Sequence, residues 1–412
     1  MKNKVIELSG DKSLSHRALM LSAISKGVSK IGNLCDGLDV LSTISCLRRC
    51  GVLIQKKEEI YYVISEKFIN PSQNLNCGNS GTTIRLLIGL LAGQGISATL
   101  YGDESLMKRP MDRIINPIRK MGANIEFKNK KIHLNKSQLI GGNILNQTSS
   151  AQVKSAIIMA ALGAINKTNL RESHESRDHT EIMIKQLSQN CLNMAGRNII
   201  VNPSTLKSRY FHLPGDISKA SFLIAYACLS AVSGVTFKNL LINPSRMGFL
   251  RILKKMGANL LIHNKRLLNG ELVGNITVEP AGRLKNIQIN SSDVINMIDE
   301  IPILAVMASF SKGTMIVNGV SELRLKESDR VHSIIYNLNR MRGDARAVSD
   351  KIIVRGKKSM YNTSIKTFSD HRIAMSFYIA SLLSHGKATF DNLNCINISF
   401  PNFFEKIDEI RL

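Results

Sequence analysis

Tryptophan is absent from this chain and aromatic residues make up only 5% of it, so the interleaved basic and aromatic platforms on which single-stranded nucleic acids stack are missing. Long apolar runs are missing too. The longest, 156–165 and 301–310, reach about ten residues, well short of the ~20 that span a bilayer. Prolines number nine and no low-complexity tract occurs, which argues against disorder. The seven cysteines (Cys35, Cys46, Cys50, Cys77, Cys191, Cys228, Cys395) form no C-x-x-C pair. Cys46 and Cys50 share a helix face, but no histidine or second pair with ligand spacing accompanies them, so the expectation is free thiols in a reducing compartment and no metal. Acidic residues are scarce, 31 against 55 Lys and Arg, giving a formal charge of +24. The excess lysine is spread along the chain among Asn and Ile, which reads as a compositional bias and not as a nucleic-acid stripe. The opening Met1-Lys-Asn-Lys leads into a strand-like Val5–Leu8 without an apolar signal core, and the expectation is a cytoplasmic protein without a membrane partner.

What is present is a core and a repeat. With 412 residues, 44% of them hydrophobic, the chain can bury two domain cores. An Ala/Ser/Leu-rich helix, a turn and a short alternating strand recur six times, around Gly27, Gly95, Asn166, Gly234, Gly313 and Gly386. Several copies are followed by a basic amphipathic helix and a glycine cap, as at Cys50-Gly51, Met121-Gly122, Met256-Gly257 and Arg342-Gly343. Each unit therefore reads as helix, strand, helix, strands. Such a unit leaves an apolar face open, so units must pack helices against one another with sheets outside, or the reverse. Gly10-Asp11-Lys12-Ser13 and Gly215-Asp216-Ile217-Ser218 form a Gly-Asp-x-Ser pair, and they divide the chain into two three-unit domains: 12–213, and 1–11 with 214–412.

Polar groups cluster at expected helix starts. Lys12, Ser13 and Arg17 stand where Asp11 or Ser13 can cap, among backbone N–H groups that favour an anion. Asn79-Ser80-Gly81-Thr82 is a glycine-bearing turn before an apolar helix, and Lys108-Arg109-Pro110 is a loop whose proline starts the next one. Ser149 to Ser155, Glu175 to Thr180, Asp299-Glu300, the charge run Glu322 to Arg330 with a helix start at Ser328, and Ser369 to Arg372 repeat the theme. Taken singly, each such stretch is more often a cap than a site. If equivalent helices run parallel, however, their starts gather at one end of each domain and the two domains frame a cationic cleft. At an effective dielectric of ~20, like charges 4 Å apart repel by about 4 kcal/mol, so Lys12, Arg109, Arg330 and Arg372 would hold the domains apart until an anion arrives. Phosphate and carboxylate suit such a site.

Through Gly10 to Arg17, Asn79-Ser-Gly-Thr82, Lys108-Arg-Pro110, Ser150-Ala-Gln152, Leu325 to Arg330 and Asp370-His-Arg372, the chain resembles the EPSP synthase family of enolpyruvyl transferases from end to end. The resemblance implies an α/β fold, a two-domain inside-out barrel of six βαβαββ units whose active site lies between the domains. It implies transfer of the enolpyruvyl group of phosphoenolpyruvate to the 5-hydroxyl of shikimate 3-phosphate, by a monomer, with no cofactor. Position by position, Ser13, Arg17, Ser150, Ala151, Gln152, Ser176, Asp299 and Lys326 fall to shikimate 3-phosphate. Lys12, Asn79, Gly81, Arg109, Gln152, Arg330 and Arg372 fall to phosphoenolpyruvate. Asp299 takes the role of base for the attacking hydroxyl, and Glu327 with Lys12 that of proton traffic at the enol carbon and leaving phosphate. Three positions depart from the family pattern: Ala151 replaces a serine, Glu322 stands where some members have asparagine, and Ile398 stands where some have a lysine. Two alternatives use related repeats. The sugar-nucleotide enolpyruvyl transferase is marked by a cysteine in the loop matching 102–110, absent here, and an RNA 3'-terminal phosphate cyclase would show steeply salt-dependent RNA binding.

Overall fold

The aspartates of the Gly-Asp-x-Ser pair both cap helices. Asp11 Oδ1 accepts from the Leu14 N–H at 2.9 Å, and Asp216 Oδ1 from the Ser218 N–H at 2.7 Å, each satisfying a donor that the first turn would otherwise leave unpaired. The expected choice between Asp11 and Ser13 is thus settled for aspartate. The computed structural model describes residues 4–64, 66–230 and 234–411. Residues 231–233 of the fourth repeat copy, and the first three residues of the chain's opening, lie outside the described residues.

Two compact units make up the chain: Gly10–Leu213 with Leu268–Glu271, and Met1–Ser9 with Pro214–Leu267 and Leu272–Leu412. The first, N-terminal unit contains α1 (Lys12–Ala23), α2 (Leu38–Arg49), α3 (Gly81–Gly93), α4 (Glu104–Met107), α5 (Asp112–Lys120), α6 (Ala151–Leu162) and α7 (His179–Leu187). The second, C-terminal unit contains α8 (Ile217–Ser230), α9 (Gly248–Lys255), α10 (Ser291–Ile295), α11 (Ile301–Phe310), α12 (Arg330–Arg340), α13 (His371–Leu382) and α14 (Phe403–Arg411). In each unit the helices that follow a parallel strand are apolar nearly all round and lie inside: α3 packs on α1 and α6, while α8, α11 and α13 pack on one another. A helix without a polar face has no other stable place. Close approach is built in at the α3–α6 crossing, where a Cβ on Gly89 would lie 2.1 Å from the Ala156 carbonyl oxygen, and one on Gly163 1.9 Å from that of Gly93.

Four-stranded sheets cover these helices, each with a parallel edge strand followed by an antiparallel pair. In the N-terminal unit Leu75–Asn76 and Gly142–Asn146 supply two parallel edges directly before α3 and α6. The edge before α1 comes from far along the chain, Tyr210–His212 pairing with Lys30–Gly32. In the C-terminal unit Lys4–Ile6 does the same for Val235–Phe237. Strands alternate buried and exposed positions, as in Lys351–Arg355, so one face meets helices and the other water.

Two expectations are corrected. Among the described residues the sixth copy is reduced to a two-stranded pair, Ser364–Ile365 with Thr389–Phe390. After Asn392 come a 3-10 turn, Asn394–Ile398, and then α14, whose Phe403 is fully buried. Lys4 Nζ bonds the Ile410 carbonyl at 2.8 Å at the end of α14, where a cation suits the helix dipole. At Arg342-Gly343 the left-handed residue is Arg342 (φ 61°), not the glycine. Gly343 serves a different need, because a Cβ there would lie 2.6 Å from the Leu338 carbonyl oxygen. No helix among the described residues is long and apolar enough to cross a membrane, and all seven cysteines are free and buried.

Candidate active site

The N-terminal unit presents its expected residues at the starts of its inner helices. Lys12, the first residue of α1, places Nζ 2.8 Å from Asp39 Oδ2, with the two side chains 17% and 9% exposed. Arg17, one turn on, is buried and bonds Thr180 Oγ1 and Ser155 Oγ at 2.8 Å and the Ser13 carbonyl at 2.9 Å. Ser13 and Arg17 are thereby locked to one another and to α6 and α7. Ser80 caps α3 through the Thr83 N–H at 3.2 Å. Gly81 follows, and a Cβ there would stand 2.9 Å from Arg85 Nη1 and 3.2 Å from Arg109 Nη1. Two guanidinium groups therefore flank the start of α3, where backbone N–H donors already favour an anion. Arg109 Nη2 bonds Asn79 Oδ1 at 2.8 Å, Asn79 Nδ2 bonds Asp103 Oδ2 at 2.7 Å, Arg85 Nη1 bonds Gln152 Oε1 at 2.6 Å, and Gln152 Nε2 bonds Thr82 Oγ1 at 2.9 Å. Two hydrogen-bonded chains, Arg109–Asn79–Asp103 and Arg85–Gln152–Thr82, thus flank Gly81. Ser150 occupies the cap position of α6 without a side-chain cap bond, and Ala151 begins the helix. Ser176 lies in the loop before α7, its hydroxyl donated to Glu172 Oε1 at 2.6 Å.

The C-terminal unit gathers its expected residues around one buried arginine. Arg330, the first residue of α12, bonds Asp370 through Nε at 2.8 Å, reaches Glu327 Oε2 through Nη2 at 2.5 Å, and lies 3.7 Å from Asp299 Oδ1 through Nη1. Burial alone would lower its pKa, but Asp370 and Glu327 outweigh it and push the pKa up. Asp299 sits in the 3-10 turn Ile298–Glu300, 20% exposed. Lys326 Nζ is 3.8 Å and Arg372 Nε 4.0 Å from its Oδ1, and Arg372 Nη1 bonds its carbonyl at 3.1 Å. Arg372 is the second residue of α13, whose cap is Asp370. The expected start at Ser328 is corrected: Asp329 caps α12 through the His332 N–H at 3.0 Å, while Ser328 Oγ bonds Asp370 at 3.1 Å. The helix expected at Pro110 begins at Asp112. Glu322 is exposed, and Ile398 packs on the apolar core of its unit.

A model of the family described as EPSP synthase (3-phosphoshikimate 1-carboxyvinyltransferase) matches residues 2–407. The chain belongs to the EPSP synthase family. Among curated EPSP synthases named 3-phosphoshikimate 1-carboxyvinyltransferase, that of Thermoanaerobacter sp. (strain X514) is 39% identical over 410 residues, covering 98% of this chain and 96% of its own. That of Clostridium tetani is 40% identical over 407 residues, covering 97% and 92%. A solved EPSP synthase of Acinetobacter baumannii superposes with a TM-score of 0.86 at 34% identity, covering 99% of this chain and 96% of that one.

Two residues, Arg85 and Glu300, received no role from the sequence. Arg85 stands with Arg109 over Gly81, and the only signal was a cation four residues into an apolar helix. Glu300, next to Asp299, is buried; Ser218 Oγ donates to its Oε1, Arg246 Nη2 bonds Ser218 Oγ at 2.9 Å, and Arg372 Nη1 lies 3.8 Å away. Its partners are some 70 to 80 residues distant in sequence, and no local pattern announces them. The two sets differ in how many carboxylates accompany their cations. In the C-terminal unit Lys326, Arg330 and Arg372 face four carboxylates, Asp299, Glu300, Glu327 and Asp370, while Lys12, Arg17, Arg85 and Arg109 make the N-terminal set the cationic one.

Proposed function

We propose that this protein is a 3-phosphoshikimate 1-carboxyvinyltransferase, acting as a monomer in the cytoplasm, in which the two sets of residues meet around shikimate 3-phosphate and phosphoenolpyruvate. The observation that carries the chemistry is the single arginine shared by Asp299 and Glu327. The reaction moves two protons: the 5-hydroxyl of shikimate 3-phosphate loses one as its oxygen bonds C2 of phosphoenolpyruvate, and C3 gains one to become a methyl group. The tetrahedral ketal then loses a proton from that methyl as the C2–O bond to phosphate breaks, leaving the enol ether and inorganic phosphate. One carboxylate for each proton is the least such a sequence requires.

In this reading Asp299 is the base toward the 5-hydroxyl, and the nearby Lys326, Arg330 and Arg372 favour its ionised form. Glu327 serves the C3 proton, with Lys12 at the leaving phosphate. Arg85 and Arg109, over the start of α3, take the phosphate of phosphoenolpyruvate with Asn79 and Gly81, and Arg330 and Arg372 take its carboxylate. Ser13, Arg17, Ser150, Ala151, Gln152, Ser176 and Lys326 line the shikimate-phosphate side. Ile398 offers no cation, so the role of a lysine there is absent or filled elsewhere.

The test is phosphate release from the two substrates together, in the wild type and in Asp299→Ala and Lys12→Met, whose sites lie in different units. Each substitution should lower kcat by about 10²- to 10⁴-fold. Unchanged release in Asp299→Ala would remove the base assignment, and unchanged release in Lys12→Met would remove the N-terminal unit from the chemistry.

A further inference from the structure

Lys154, on the first turn of α6, is 1% exposed, and its ammonium donates to Glu172 and to the Ser176 carbonyl and is ion-paired with Glu181. Glu181 Oε1 lies 2.7 Å away, Glu172 Oε2 3.0 Å, and the Ser176 carbonyl oxygen 3.1 Å. Glu172 uses its second oxygen to accept from Ser176 Oγ at 2.6 Å. Ser176 is therefore gripped at both its backbone and its hydroxyl by one ion pair. The neighbouring Ser155 accepts from Arg17 at 2.8 Å and from Thr180 Oγ1 at 2.6 Å. One turn of α6 thus ties together the end of the strand Thr168–Glu172, the loop 173–178, the start of α7 and Arg17 of α1.

Enclosing three charges is costly unless geometry is the return, since an apolar side chain of similar volume would pack the same space with less desolvation. Burial pushes the Glu181 carboxyl up, against the opposing pull of Lys154.

We propose that Lys154, Glu172 and Glu181 are positioning residues for the shikimate 3-phosphate side of the site, setting the course of the loop 173–178 relative to Ser150, Gln152 and Arg17. This rests on the function proposed above. With its O–H given to Glu172, Ser176 serves the ligand through the shape of its loop.

The experiment uses the full chain with each substrate varied separately, in the wild type, in Glu172→Gln, and in the triple variant Lys154→Met, Glu172→Gln, Glu181→Gln. The triple variant removes all three charges together and leaves none buried alone. The expected result is a KM for shikimate 3-phosphate raised about tenfold in the triple variant and about threefold in Glu172→Gln, with kcat and the KM for phosphoenolpyruvate within about twofold of wild type. A merely structural role would lower kcat or the melting temperature without that split. Wild-type KM for shikimate 3-phosphate in either folded variant overturns the proposal. Hydrogen exchange of the wild type reads the same point without a substitution: shikimate 3-phosphate should slow exchange of the amides at 173–178, and unaltered exchange there overturns it as well. A wild type that releases no phosphate from the substrate pair counts instead against the function itself.

Discussion

Arg330 organises the C-terminal set of residues. It is 1% exposed, and the carboxylate of Asp370 that pairs with it is wholly buried. Removing the cation in Arg330→Met leaves that carboxylate enclosed without its main partner, which should cost about 3–5 kcal/mol of stability, read by denaturant titration. His16 offers a second residue-scale test. It is wholly enclosed, with Nδ1 2.7 Å from Thr43 Oγ1, which in turn lies 2.7 Å from Thr83 Oγ1. Burial, and then the charges of Lys12 and Arg17, hold its pKa well below the usual 6.5. The unfolded chain takes up a proton below that value and the folded chain does not, so its contribution to stability is fully present above pH 6.5 and is lost as pH falls from there toward the folded pKa. Unfolding midpoints of His16→Asn should lack that part of the slope, and an unchanged slope would refute the burial argument. Clustered cations near helix starts could be read at this scale from local spacing, but the choice of Asp11 over Ser13 and of Asp329 over Ser328 as cap could not. Lys12–Asp39, Arg85–Gln152 and Ser218–Glu300 could not, because each joins helices whose contact is decided only by packing.

Elements were more legible than single contacts. The recurring apolar helix and alternating strand marked α1, α3, α6, α8, α11 and α13 because a helix without a polar face and a strand with one wet face each have a distinct period. Strand character was legible at the start of the chain, where Lys4–Ile6 forms, but its pairing with Val235–Phe237 was not, and Tyr210–His212 escaped notice, being three residues long and paired far from its own position in sequence. The shortened sixth copy shows the same limit: its opening helix and strand follow the pattern, but α14 stands where a hairpin would follow. The α3–α6 crossing supplies the prediction at this scale. Gly163→Ala would set a methyl group 1.9 Å from the Gly93 carbonyl oxygen, and the two helices must part to admit it. A loss of about 1–3 kcal/mol is expected in equilibrium unfolding, and a neutral substitution would mean that the crossing is looser than described.

At the scale of the whole molecule, charge is divided between the units. The N-terminal set gathers Lys12, Arg17, Arg85 and Arg109 with Asp39 beside Lys12, while the C-terminal set balances three cations against Asp299, Glu300, Glu327 and Asp370. That division suits a reaction in which two phosphates need cations and two proton transfers need carboxylates, and it could not be read from a net charge of +24. The most direct test follows phosphorus by NMR in a mixture of shikimate 3-phosphate, phosphoenolpyruvate and catalytic amounts of the full chain. The expected result is conversion of the phosphoenolpyruvate signal to inorganic phosphate only when both substrates are present, with the shikimate phosphate ester kept intact and shifted as one new species. Inorganic phosphate appearing without shikimate 3-phosphate, or no new ester signal, would contradict it.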